Sequence, residues 1–312
     1  MNPTSAPAGR WTRFRDSYLL YSFKRDVIAQ LSLVAFILLL GVAVLAPWLS
    51  PTDPYDLTTI DIMASELPPF WIAGSDEAYV LGTDAQGRDL LSTILYGARV
   101  SLIIGFGAVA LQATLGVCFG LLAGYLGGRV DAFLMRLADI QLSFSTLMVA
   151  IVVGALVKAI FGGDTFGAYA VPLLVVIIGL AEWPQYARTV RASVLAEKAK
   201  EYVDAARVMG LSSRRIMFRH ILPNTLSPIF VISTVQVANA IISEAALSFL
   251  GLGMPETQPS LGSLIKSGFD YLQSGSWWIT LIPGAVLVML VLVINLLGDW
   301  LRDVLNPRLY KG

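Results

Sequence analysis

Residues 100–125 read VSLIIGFGAVALQATLGVCFGLLAGY, a run of 26 residues without a charged side chain. A helix needs about 20 apolar residues to cross the hydrocarbon core of a bilayer, so this run is long enough to span a membrane. Its glycines Gly116, Gly120 and Gly124 recur every four residues. Small residues at this spacing let two helix backbones approach closely, which predicts a packing seam inside the chain or against a partner. Ordinary glycine use in membrane helices is the alternative.

The composition of the whole chain agrees with this run. Of its 312 residues, 56% are hydrophobic and 14% are charged, and the mean hydropathy is +0.69. Soluble domains carry roughly a quarter charged residues, so this chain has too little charge to cover a water-exposed surface. A large apolar soluble enzyme is excluded because the apolar residues form runs of bilayer-spanning length.

Six such runs predict an all-α membrane protein with six transmembrane helices. The first run has 22 residues, whereas the apolar core of a cleaved signal peptide has about 7–15, so we interpret it as a retained helix. Residues 44–46 (VLA) nevertheless resemble a cleavage site. The predicted spans are 27–48, 100–125, 141–161, 170–183, 226–250 and 279–300.

The placement of Lys and Arg predicts the orientation, because cytoplasmic segments of membrane proteins carry an excess of both. With a cytoplasmic N-terminus, 18 of the 22 basic residues fall in the inner segments 1–26, 127–140, 184–225 and 301–312. Both termini are therefore predicted to be cytoplasmic. The predicted order is a cytoplasmic segment 1–26, a first helix 27–48, a periplasmic loop 49–99, a transmembrane domain 100–300 with a long cytoplasmic loop 184–225, and a cytoplasmic tail 301–312.

Several kinds of site are excluded or not predicted. Equal numbers of acidic and basic residues argue against nucleic acid as a partner. A single cysteine, Cys118, and a single histidine, His220, exclude a disulfide framework and a multi-histidine metal site. Residues 82–89 (GTDAQGRD) resemble a phosphate-binding loop, but Arg88 and Asp89 replace its Lys and Ser or Thr. No catalytic motif is present either, so neither a catalytic nor a metal site is predicted.

The loop 184–225 contains a predicted helix. Its apolar residues recur at intervals of 4, 3, 4 and 3, which predicts one stripe on a helix face. Gly210 is expected to end this helix in a left-handed conformation, and a second short helix, about 213–220, precedes Pro223. The stripe consists of Leu195, Ala199, Tyr202, Ala206 and Met209.

This helix is predicted to dock against another protein. The small pair Ala205 and Ala206 permits close backbone approach in a groove, and the acidic Glu201 and Asp204 beside it can pair with basic groups. The alternative is an amphipathic helix on the bilayer surface. The acidic side chains weakly disfavour that alternative, since bilayer surfaces that attract such helices are often anionic.

The same loop resembles the EAA loop of ABC importer permeases, specifically those of the oligopeptide, dipeptide and nickel family. The family pattern is an acidic residue, Ala-Ala, three residues, Gly, nine residues, Ile, one residue and Leu-Pro. Two positions depart from it, because Asp204 stands where Glu is usual and His220 where Ile is usual. Glu201, one turn earlier, is able to share the acidic role. The matching positions are Asp204, Ala205, Ala206, Gly210, Leu222 and Pro223.

Other stretches also resemble the peptide permeases. They extend the resemblance over nearly the whole chain, and they mark the family rather than the cargo. The stretches are 81–84 (LGTD), 87–89 (GRD), 96–99 (YGAR), 244–253 (EAALSFLGLG) and 295–299 (NLLGD).

The resemblance implies a type I ABC importer-like permease in the bacterial inner membrane. The chain would pair with a second related permease subunit, two ATP-binding subunits, and a periplasmic or lipid-anchored substrate-binding protein. ATP and Mg would be bound by those partners, so no cofactor is expected in this chain. The cargo would be di- or oligopeptides, with nickel chelates, glutathione or another small solute as alternatives. The expected ATPase-coupling residues are Glu201, Asp204, Ala205, Ala206, Gly210, Leu222 and Pro223.

Glu244 is the clearest ionisable residue inside a predicted span, with Asn239 and Gln236 deeper along the same helix. Such groups are costly in a membrane and mark functional candidates, so the three are predicted to line the translocation path. A carboxylate hydrogen-bonded within the helix bundle is the alternative for Glu244. A stand-alone secondary transporter would show several buried charged groups and paired broken helices, and Glu244 alone does not make that pattern.

Overall fold

The structure, a computed structural model, describes residues 18–56, 58, 60–162, 167 and 169–305. These residues form helices and loops without a β-strand. Parts of the predicted segments 1–26 and 301–312 lie outside the described residues. The longer helices are α1 Tyr18–Arg25, α2 Val27–Val44, α3 Leu90–Leu126, α4 Gly128–Leu142, α5 Thr146–Phe161, α6 Ala170–Lys198, α7 Glu201–Val208, α8 Leu226–Phe249, α9 Leu261–Asp270 and α10 Trp278–Val304. Short helices are Ala46–Leu49, Ile62–Ala64, Ser213–Arg215, Ile216–Ile221, Leu222–Thr225 and Leu272–Ser274.

Five helical segments of the described chain are long and apolar enough to cross a membrane, and a bent pair makes a sixth. The predicted third span 141–161 is not one straight helix, because α4 and α5 meet at an angle of 88°. At the break, the Ser143 hydroxyl donates to the Asp139 carbonyl (2.8 Å), a local bond that competes with helix continuation. The prediction of one helix over 141–161 is therefore wrong, because its first two residues end α4 and its residues from Thr146 onward form α5.

The central contact of the bundle joins α3 to α6 along the glycine face. A Cβ added at Gly116 would lie 2.2 Å from the Cβ of Tyr186, and one at Gly120 would lie 2.5 Å from the carbonyl oxygen of Ala187. At Gly124 the nearest atom, in Val194, would lie 2.8 Å away. Only glycine permits this approach of the two backbones. The predicted seam is confirmed, and it lies inside the chain.

The predicted loop 184–225 begins as helix. The fourth span was expected to end at residue 183, but α6 continues through Pro184 to Lys198. It stays helical while it packs on α3, and it ends beside the end of α3, where the Lys198 ammonium donates to the Tyr125 carbonyl (2.6 Å). The backbone at Lys200 is extended (φ −85°, ψ 147°). The single stripe predicted from Leu195 to Met209 is therefore wrong, because two helices share those residues.

At the end of the bundle opposite α7, two loops form a folded cap, which we define as residues 49–56, 58, 60–89 and 251–278. The Arg88 guanidinium donates to the buried Asp84 carboxylate (2.7 Å) and to the Glu256 carbonyl (2.8 Å). The Ser276 hydroxyl donates to Glu66 (2.6 Å). These bonds join the two loops, so the cap is held together by its own chain.

Candidate functional site

Helix α7 exposes most of its residues to solvent. Val203 and Ala206 are buried against the rest of the chain, whereas Glu201, Asp204 and Ala205 are exposed. The predicted acidic residues thus share a face with one alanine of the Ala-Ala pair, and the other alanine anchors the helix. A partner helix or groove can approach this face closely because Ala205 has only a methyl group.

Gly210 ends α7 as the sequence predicts. Its φ is +74°, in the left-handed region that favours glycine. The Leu211 amide then donates back to the Ala206 carbonyl (3.1 Å), which closes the helix end. Next to this turn, the Val208 and Met209 side chains are 89% and 71% exposed. The end of α7 therefore carries two apolar side chains that the described chain leaves in solvent.

The charged groups around α7 are mostly paired locally. Asp204 accepts from Arg207 (2.8 Å), and Glu197 accepts from Lys200 (2.5 Å). This hydrogen bond raises the pKa of the Lys200 ammonium. All of these groups except Glu197 are substantially exposed, so the pairs contribute little stability and can exchange for pairs with a partner.

Tyr202 ties α7 to its neighbours. Its hydroxyl donates to Glu197 at the end of α6 (2.7 Å) and accepts from Asn224, just before α8 (3.2 Å). Burial raises the pKa of this hydroxyl, and the hydrogen bond to Glu197 raises it further. The Asn224 amide also donates to the His220 carbonyl (2.8 Å), so His220 contributes its backbone here. Leu222 and Pro223 lie in the short helix that leads into α8.

Glu244 lies inside the bundle. It is fully buried, and it accepts hydrogen bonds from Ser101 of α3 (2.8 Å) and Ser248 of α8 (2.7 Å). This geometry favours a carboxylate that joins helices over one that lines an open path. Among the described residues, no three His, Cys, Asp or Glu side chains lie close enough together to hold a metal ion.

A second intramembrane carboxylate, Glu182, is missing from the sequence prediction. It is 8% exposed and accepts from the Gln236 amide (2.6 Å), whose oxygen accepts from Asn239 (2.8 Å). The expectation that Glu244 alone lies inside is therefore wrong. It failed because the fourth span was ended at residue 183, which placed Glu182 at the membrane edge. A glutamate directly after the apolar run 170–181 was the available signal.

Comparisons with known proteins agree with this architecture. A family model described as a binding-protein-dependent transport system inner membrane component matches residues 116–311. A second model, the N-terminal TM domain of oligopeptide transport permease C, matches residues 11–69. The chain has the fold of a chain in the MetNI methionine ABC transporter in an inward-facing conformation (TM-score 0.55, 20% identity, 69% of this chain and 97% of that chain). The expected importer-like helical fold is confirmed.

Full-length relatives extend the match. The dipeptide transport system permease protein DppC of Haemophilus influenzae is 37% identical over 93% of both chains. DppC of Escherichia coli K12 is 40% identical over 92% of this chain and 91% of its own. A putative peptide transport system permease protein of Brucella suis is 42% identical over 90% of this chain and 88% of its own. The chain therefore belongs to the family of inner-membrane components of binding-protein-dependent transport systems, and it is a multi-pass inner-membrane permease.

Proposed function

We propose that this permease is one subunit of an ATP-driven importer and forms half of the translocation path for di- or oligopeptides. The observation that carries the proposal is the similarity, at 37–40% identity over more than nine-tenths of the chain, to permease subunits named for dipeptide transport. The second half of the path comes from a related permease subunit. A substrate-binding protein on the periplasmic side delivers the cargo.

Helix α7 is the contact for the ATP-binding subunits, which hold ATP and Mg in place of this chain. Its exposed acidic face and the apolar Val208 and Met209 support this assignment. Met is enriched at protein interfaces, and exposed apolar side chains next to a small residue suit a hydrophobic pocket on a partner. This assignment places α7 and both termini in the cytoplasm, in agreement with the distribution of Lys and Arg.

The connections of α7 suggest how movement reaches the membrane. Its Tyr202 is bonded to Glu197 of α6 and to Asn224 before α8. A force applied to α7 by closing ATPase subunits therefore acts on both helices together. Because α6 is in close backbone contact with α3 along the glycine seam, α3 moves together with α6 and α8. The subunit thus rotates as a body against its partner, which changes the side from which the path is open.

Co-purification tests the coupling contact. In the assembled transporter, Glu201→Lys together with Asp204→Lys should release the ATP-binding subunits, because both charges on the docking face are reversed. The matched control reverses two exposed charges in the cap, Glu77→Lys and Asp270→Lys. This variant should retain the ATP-binding subunits. Insertion of every variant is checked by membrane fractionation. ATPase subunits that remain bound to the α7 variant would contradict the assignment.

Uptake by the complete system tests the cargo. Cells carrying all subunits should import a labelled dipeptide in an ATP-dependent manner, and unlabelled tripeptide should compete. Competition by a nickel chelate or glutathione in place of peptide would instead assign one of those cargoes. Uptake that persists without the ATP-binding subunits would indicate a secondary transporter.

A further inference from the structure

Three polar side chains form a chain of hydrogen bonds from the interior of the bundle to its surface. Glu182 of α6 is buried, Gln236 of α8 is buried, and Asn239, one turn further along α8, is exposed. The Gln236 amide nitrogen donates to Glu182 (2.6 Å), and the Asn239 amide nitrogen donates to the Gln236 oxygen (2.8 Å). Gln236 lies about 15 Å along a helix of about 36 Å, which is well inside the membrane.

The direction of this hydrogen-bond chain follows from chemistry. The Glu182 carboxylate oxygen accepts this hydrogen bond, so Gln236 presents its NH₂ group to Glu182. Its oxygen then faces Asn239, which must in turn present its own NH₂ group inwards. The carbonyl oxygen Oδ1 of Asn239 and the second N–H of its amide are then left for other partners. Glu182 thus fixes how both amides are turned, so that the Asn239 carbonyl oxygen is free to accept a hydrogen bond.

The surroundings indicate that these groups do not face lipid. A polar amide in contact with hydrocarbon is costly, and such residues in membrane helices face a bundle interior or a water-filled cavity. Asn239 is exposed in the isolated subunit, so its environment in the membrane is the path or the second permease subunit. A further amide, Gln112 of α3, donates to the Ile178 carbonyl one turn before Glu182 (3.3 Å) and has a buried oxygen without a partner. Three helices therefore place polar groups at this level.

We propose that Glu182 and Gln236 orient Asn239 so that its carbonyl oxygen accepts a hydrogen bond from an N–H group of the cargo in the translocation path. The inference rests on the proposed function. Peptides carry such donors in their backbone amides and in their terminal ammonium group, and a cationic donor gives the stronger bond. Asn239 is the contact residue, and Glu182 is a positioning residue that acts through Gln236.

Uptake measurements on the assembled transporter test the contact. Asn239→Leu removes the acceptor at an exposed position, so the fold is preserved, and dipeptide uptake should fall about tenfold, the effect of about one hydrogen bond. Thr114→Val is the matched control, since Thr114 is also an exposed polar residue in a span but bonds only to its own helix (Ala110 carbonyl, 2.7 Å). It should leave uptake unchanged. Asn239→Leu uptake equal to that of the control would overturn the proposal.

A double-mutant cycle tests the positioning role. Glu182→Gln keeps the shape of the side chain but adds a donor, so both amides beyond it can flip and Asn239 can present NH₂ to the path. Uptake by Glu182→Gln should fall about tenfold, and uptake by the double variant Glu182→Gln with Asn239→Leu should fall no further. The amount of peptide imported per ATP hydrolysed should fall in both single variants and in the double variant. General misfolding would not lower this ratio. A double variant at about the product of the single losses would show independent effects and overturn the inference.

The two proposals fail in different ways. Wild-type transporter that imports no peptide would remove the proposed function and this inference together. If the wild-type transporter imports peptide and the Asn239→Leu variant imports it equally well, the inference alone is removed. If Glu182→Gln does not insert, the Asn239→Leu variant decides by itself, because its substitution lies at the surface.

Discussion

The two ends of this protein are built differently. In the cap, a buried Arg88–Asp84 pair and a bond to the Glu256 carbonyl join the two loops, so the chain satisfies its own polar groups. At the other end, α7 has surface ion pairs and leaves Val208 and Met209 in solvent. The cap is joined by bonds within the chain, whereas α7 exposes the apolar side chains that we propose as a docking surface. In the proposed function, the ATP-binding subunits act on this adaptable end of the subunit.

Breaking the cap should have the largest effect on stability. Arg88→Met leaves the Asp84 carboxylate buried without its cation, and removing one partner of a buried pair lowers the free energy of unfolding by about 3–5 kcal/mol. Denaturation of the detergent-solubilised protein measures this. Lys266→Met is the control, because the Lys266 side chain is partly exposed and its Nζ lies 3.9 Å from the Glu256 carboxylate, and its effect should stay within about 1 kcal/mol. Equal effects would show that the cap is not rigid.

A change in the glycine seam between α3 and α6 should have the second largest effect on stability. Gly116→Ala places a methyl group 2.2 Å from the Tyr186 Cβ, so α3 and α6 must separate. Overpacking of this kind lowers the free energy of unfolding by about 1–3 kcal/mol. Gly284→Ala provides the contrast, since nothing lies within 4 Å of its added Cβ and alanine favours a helix. The midpoint temperature of thermal unfolding should therefore fall for Gly116→Ala and be unchanged or rise for Gly284→Ala.

Tyr202→Phe loosens α7 by a smaller amount. The change removes the hydrogen bonds to Glu197 and Asn224, each a net contribution of about 1 kcal/mol at most where water can replace it. Peptide imported per ATP hydrolysed should fall, because α7 is then held less firmly to α6 and α8. The control Tyr21→Phe loses only an exposed bond to Arg25 of the same helix. A Tyr202→Phe transporter with the wild-type ratio would argue against transmission through this hydroxyl.

The smallest effect on stability is expected at the end of α7. Val208 is almost fully exposed, so Val208→Asp should change the free energy of unfolding by about 0.5 kcal/mol or less. The same variant should release the ATP-binding subunits, because a charge would enter their apolar pocket. Pull-down alongside a melting curve separates the two readouts. A variant that is unstable and still bound would reverse the comparison between the two ends.

Sequence reasoning succeeded where the signal is local or periodic. The apolar runs predicted the spans, the spacing of Gly116, Gly120 and Gly124 predicted the seam, and Gly210 predicted the end of α7. It failed where a helix end depends on a neighbour. Pro184 suggests a break, and the predicted cytoplasmic helix begins only at Leu195, but packing on α3 keeps α6 helical through Pro184 to Lys198. Because that end was misplaced, Glu182 was missed.

The sequence by itself determined that this chain crosses the membrane several times, because bilayer thickness translates directly into runs of apolar residues. It also determined the family, through motifs quoted residue by residue. Only the tertiary structure decided that Glu244 joins helices, that Glu182 reaches Asn239 through Gln236, and that Arg88 closes the cap. The partners in these contacts are 3 to 168 residues apart in the chain, and hydrogen bonds form between whichever polar groups the packed helices and loops bring together.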